Sequence, residues 1–122
     1  MRDPFVLDTS YQDDLAIIHI GGFVDAHTAR QFEQAIQQEL AAGRYRLVVD
    51  CAKLTYISSA GLGVFMGFVE EARDHAGDIK VCGLIPRVRE VFDMLGFSAV
   101  FDIVEDVPAA ARRYADAPRK EA

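Results

Sequence analysis

Phe5, Leu7 and Thr9 alternate with other residues at the period of two that marks a half-buried strand. Tyr11 to Asp14 is polar and turn-like. Leu15 to Ile20 follows as a second, more apolar strand, so the chain opens as a hairpin that Gly21-Gly22 ends. The periodicity then becomes helical. Thr28 and Gln31 have the spacing of a capping box, Phe32, Ile36 and Leu40 recur on one face, and Gly43 supplies the stop. Leu47-Val48-Val49 predicts a short central strand. A second helix is predicted over Ala60 to Ala76, with Leu62, Phe65, Met66 and Val69 on one face and Gly77 at its end. Ile79 to Cys82 reads as the next strand. Pro86 starts a third helix carrying Val88, Val91, Phe92 and Leu95, closed by Gly96. Ala99 to Val104 is the last predicted strand, and Asp106 caps a final helix through Tyr114.

After the hairpin, strand and helix alternate. That order predicts an α/β fold: one mixed, mostly parallel sheet of about five strands with about four helices and right-handed crossovers. No internal repeat or interdomain linker interrupts it. The expected domain is 1–115, with 116–122 as a polar, frayed tail.

The chain has 122 residues, 51% of them hydrophobic, enough to build a core in one domain. Its net charge of −6 argues against nucleic acid or an anionic membrane as the main partner, since both need basic patches. Arg112-Arg113 is too short to make one. No apolar run approaches the roughly 20 residues of a membrane span, and no signal peptide is evident, so a cytoplasmic setting without membrane insertion is expected. Cys51 and Cys82 each end an apolar run and read as buried hydrophobes. No cluster has metal-ligand spacing, so neither metal nor cofactor is expected.

The densest chemical signal is Tyr56-Ile57-Ser58-Ser59-Ala60-Gly61-Leu62-Gly63, between a strand and a helix. A helix N-terminus has free N–H groups and a partial positive charge, so a phosphate on a hydroxyl there is favoured. Gly61 and Gly63 leave the first turn bare for close approach, at a cost of about 1 kcal/mol each against alanine. On local sequence alone, a plain N-cap serine is the simpler reading. The segment fits neither a GxxxxGK[ST] phosphate loop nor a G-x-S-x-G nucleophile elbow.

Ile57 to Gly63 resembles the phosphorylation motif of STAS domains, the anti-sigma-factor antagonists of bacteria. Two further stretches resemble the same family: Gly22-Phe23-Val24-Asp25-Ala26-His27-Thr28-Ala29 leading into the first helix, and Val81-Cys82 followed by the Pro86 to Gly96 helix. Together they span most of residues 5–105. The resemblance implies a STAS-like single domain that is not an enzyme. It also implies a partner switch, in which the unmodified protein binds an anti-sigma factor that is also a serine kinase and so frees a sigma factor. Phosphorylation of Ser59 reverses that binding, and a serine phosphatase resets it. Ser59 matches the motif position and is expected to cap the helix; Ser58, where the family has an acidic residue, is the competing acceptor, and Ala60 replaces a second hydroxyl. Asp25, His27, Ser58, Ala60, Gly61, Leu62 and Gly63 are the expected partner-binding residues.

Asp25 reads equally well as an ordinary cap aspartate. Asp25, His27 and Ser59 can be assembled into a triad on paper, but no oxyanion site or substrate cavity accompanies them. His19 reads as a strand residue and His75 as a solvated helix end. Val64 and Phe68 are read as packing under a neighbouring helix, and Asp102, Glu105 and Asp106 as a solvated acidic edge. Two other functions compete: a STAS module serving a different output, such as a signalling scaffold or membrane transport complex, and a regulatory domain binding nucleotide at the second helix's N-terminus.

Overall fold

A computed structural model of the chain describes residues 3–117. Two strands are apolar on both sides and set the architecture. These are β2 (Leu15–Val24) and β3 (Arg46–Ile57), which pair in parallel at the centre of a five-stranded sheet of order β1-β2-β3-β4-β5. β1 (Val6–Gln12) lies antiparallel to β2, whereas β4 (Asp78–Cys82) and the two-residue β5 (Ile103–Val104) continue the parallel arrangement. The helices are α1 (Ala29–Ala41), α2 (Ser59–Asp74), α3 (Pro86–Met94) and α4 (Val107–Asp116). This is the expected mixed α/β sheet with four helices.

Strand alternation divides the core. Ala16, Ile18, Ile20, Leu47 and Val49 face α1, α2 and α3 in the main cluster. Its centre is aromatic: Phe65 meets Phe32, Phe92 and Phe101 edge to face at centroid distances of 5.1, 5.5 and 5.8 Å. Leu15, Ile17, Val48 and Cys82 point to the other face, where Val107, Ala110, Ala111 and Tyr114 of α4 pack against them. The Tyr114 hydroxyl sits 2.7 Å from the Leu47 carbonyl and 2.6 Å from that of Asp78, and shares its single proton between them. Lys80 lies over the Tyr114 ring and donates to Asp78 and Asp102. α4 is thereby fastened to β3 and β4 by polar as well as apolar contacts.

Several boundaries depart from the sequence reading. Gly21-Gly22 does not end β2; the strand continues to Val24 through register shifts, with Gly22 at φ 73°. β3 is correspondingly longer than Leu47-Val48-Val49. The Ala99 to Val104 strand shrinks to Ile103–Val104, because Gly96 at φ 78° starts a single 3-10 turn over Phe97–Ala99 that brings Phe97 and Phe101 to the core. Met66 and Leu95 were placed on apolar faces but are about half exposed, Leu95 because α3 has already ended. Val64 is buried and Phe68 packs against the core, as read. Asp106 caps α4 through the Ala109 N–H at 2.9 Å. Asp102 is no solvated edge residue, since it also accepts from Arg113. α4 runs past Tyr114 to Asp116, and the remainder of the expected tail, 118–122, lies outside the described residues.

Cys51 and Cys82 are buried free thiols. Burial pushes the Cys51 thiol far up and that of Cys82 to about 12, with the Asp50 carboxylate adding to the second. Below the ordinary thiol value of about 8.5, folded and unfolded chains are both protonated and the thiols are neutral in stability. Above it the unfolded chain ionises while the folded chain does not. Stability is therefore expected to fall steadily as pH rises from about 8.5 towards 12, which urea midpoints at pH 8 and pH 10.5 will show.

Candidate functional site

The parallel pairing of Val24 with Ile57 ends β2 and β3 side by side at the carboxyl ends of the central strands. The turn after β2 carries Asp25 and His27, and the turn after β3 carries Ser58 and Ser59. The Ser58 N–H donates to the Val24 carbonyl at 2.8 Å, which locks the two turns together. Here the structure joins residues that are more than thirty positions apart in the chain.

Each turn starts a helix, and in each the capping residue is displaced by one or more positions from the sequence reading. In the first, the capping box at Thr28 does not form. Asp25 Oδ1 accepts from the N–H groups of His27 and Thr28, both at 3.0 Å, and the Asp25 carbonyl accepts from Ala29 N–H at 2.8 Å. Asp25 is therefore the effective cap of α1. Thr28 Oγ1 turns back and accepts from the Asp25 N–H at 2.9 Å. In the second turn, Ser58 and not Ser59 is the N-cap, with its Oγ accepting from Gly61 N–H at 3.4 Å. Ser59 becomes the first helical residue. It is exposed, and its hydroxyl has no hydrogen-bond partner among the described residues.

The remaining motif positions separate by direction. Ala60 and Gly63 are exposed, and a Cβ on Gly63 would meet nothing within 4 Å. Gly61 and Leu62 are buried. A Cβ on Gly61 would stand 2.7 Å from both Ile57 Cγ1 and Val24 Cγ1, so this glycine allows α2 to sit against the strand ends and does not bare a surface. Gly61 and Leu62 therefore support the turn from beneath, and Ser59, Ala60 and Gly63 form its exposed surface. His27 is exposed at the turn, and Asp25 is half-buried behind it.

The sequence reading missed an aromatic pair beside the turn. Phe23 and Tyr56 are register partners and stack with centroids 4.6 Å apart, leaving Tyr56 nearly half exposed. Only the pairing register reveals them. Among the described residues, no group of three or more His, Cys, Asp or Glu is placed to hold a metal, and no helix is long and apolar enough to cross a membrane.

The STAS domain family model matches residues 7–110, and the chain belongs to that family. Over 102 residues it is 35% identical to BtrV of Bordetella bronchiseptica, named as an anti-sigma factor antagonist, covering 84% of this chain and 88% of that one. An anti-sigma factor antagonist from Mycobacterium paratuberculosis has the same fold, with a TM-score of 0.85 at 22% identity, over 93% of this chain and 96% of that one. SpoIIAA, an anti-sigma factor antagonist of Bacillus, matches in its unphosphorylated form with a TM-score of 0.76 and in its phosphorylated form with 0.69, each at 22% identity. Those matches cover 94% and 90% of this chain, and 100% and 98% of SpoIIAA.

Proposed function

We propose that this chain is an anti-sigma factor antagonist switched by phosphorylation of Ser59. Unmodified, it binds an anti-sigma factor with serine kinase activity and so frees a sigma factor; phosphorylated, it lets go. A serine phosphatase returns it to the binding form. The observation that carries the reading is the division of labour between the two serines. Ser58 holds the helix cap, and Ser59 presents an unengaged hydroxyl at a helix start. A phosphate there meets the positive end of α2, and its charge of about −1.5 to −2 occupies the surface a partner must desolvate. A relative in the same family, SpoIIAA, is known in both phosphorylated and unphosphorylated forms.

The test is incubation with ATP and a cognate serine kinase, read by intact mass and peptide mapping. One phosphate is expected, on Ser59. Ser59→Ala should stay unmodified. Ser58→Ala should still accept phosphate while losing about 1 kcal/mol of stability with its cap. Full modification of Ser59→Ala would end the assignment.

A further inference from the structure

The second face of the sheet is only half covered. α4 packs on the starts of β3 and β4, and among the described residues no helix lies over the part of that face formed by β1, the second half of β2 and the middle of β3. A cavity of about 500 Å³ opens there, with Val6 and Ala52 as apolar lining, Asp8 and Lys53 as charged lining, and His19 and Asp50 at its wall.

Strand register brings three side chains into line across this face. His19 stands opposite Asp8 on β1 and opposite Asp50 on β3. Its Nδ1 lies 2.8 Å from Asp50 Oδ2, and its Nε2 lies 2.8 Å from Ser10 Oγ. A carboxylate only accepts, so the hydrogen-bond network assigns the proton to Nδ1, which donates to Asp50. The free Nε2 lone pair then accepts from the Ser10 hydroxyl. Asp50 is held in turn, since its Oδ1 accepts from Ala52 N–H at 3.1 Å. The Asp50 side chain is 21% exposed and that of His19 is 37% exposed. The orienting carboxylate is thus shielded while the base is reachable from solvent.

We propose that Ser10, His19 and Asp50 form a nucleophilic site that accepts an acyl group from small, activated esters. Nucleophile, base and orienting acid have the mutual hydrogen bonds such chemistry requires, and the base and acid line a cavity with space for a short apolar acyl chain. Ser10 Oγ bonds to the carbonyl carbon as its proton passes to His19 Nε2. The bond from that carbon to the leaving oxygen then breaks, and the leaving group departs with the proton from His19. Ser10 lies within a strand, so no helix N-terminus supplies an oxyanion hole. One slow acylation per chain is therefore expected instead of rapid turnover. This site lies on a different face from α2 and does not depend on the reading of Ser59.

The full chain is treated with p-nitrophenyl butyrate and, separately, with a fluorophosphonate probe. Expected are a slow release of p-nitrophenolate that levels off at one per chain and an adduct mapped to Ser10, both absent in Ser10→Ala and unchanged in Ser59→Ala. His19→Gln should slow labelling by roughly 100-fold, the range a general base contributes. Asp50→Asn should slow it too, and circular dichroism melts identify which variant remains folded and is therefore decisive. No adduct on Ser10, or one forming at the same rate in the folded His19→Gln or Asp50→Asn protein, overturns the proposal.

Discussion

Ser59→Glu is expected to weaken binding to the cognate anti-sigma factor by roughly 100-fold or more. A fixed negative charge in a contact surface that must lose its water costs several kcal/mol, and about 2.7 kcal/mol already makes 100-fold. The fold should be untouched, because Ser59 is exposed, its hydroxyl engages no described group, and a carboxylate at the first turn of α2 is favoured by the helix dipole. The loss of affinity would therefore appear without a loss of stability. Ser59→Ala removes the hydroxyl and adds no charge, so it should bind within a few-fold of the parent. Isothermal titration against the purified anti-sigma factor separates the two. Equal affinity for Ser59→Glu and the parent would place the contact surface elsewhere on the molecule.

Phe65→Ala is expected to remove about 3–5 kcal/mol of folding stability, measured by urea unfolding. Phe65 is fully buried, and its ring is the shared partner of Phe32 from α1, Phe92 from α3 and Phe101 from the segment before β5. Truncation leaves a cavity that three separate elements would have to move together to fill. Rigid, close-packed interiors do this poorly. Against a typical total of about 5–15 kcal/mol the loss is large, and part of the population should be unfolded at 37 °C. A loss below 1 kcal/mol would mean that the aromatic cluster repacks freely.

The interiors of the elements were legible in the sequence because burial imposes period. β2 and β3 are apolar on both faces, and Phe32, Ile36 and Leu40 repeat at helical spacing. Their ends were less legible. Capping needs only a short oxygen-bearing side chain in the right backbone conformation, and Asp25 or Thr28, and Ser58 or Ser59, satisfy that requirement equally on paper. Backbone geometry decides, and it chose the earlier residue both times. Gly21-Gly22 carries the composition of a stop, yet positive φ at Gly22 lets β2 bulge and continue. The motif around Ser59 was legible because it is contiguous. Ser10, His19 and Asp50 were not, because strand register alone makes neighbours of residues separated by 9 and 31 positions.

Phe23 N–H donates to the Asp3 carbonyl at 3.3 Å, and the Pro4 carbonyl closes on Gly22 where a Cβ would stand only 2.0 Å away. The chain before β1 is thus strapped beside Phe23 and Tyr56, next to the Ser59 turn. The end of α4 lies at the opposite end of the strands, where Tyr114 meets Leu47 and Asp78 at the starts of β3 and β4. On the proposed function, a bulky group attached at Asp3 stands beside the surface a partner uses and is expected to weaken partner binding. The same group attached at Asp116, the exposed end of α4, is expected to leave partner binding unchanged.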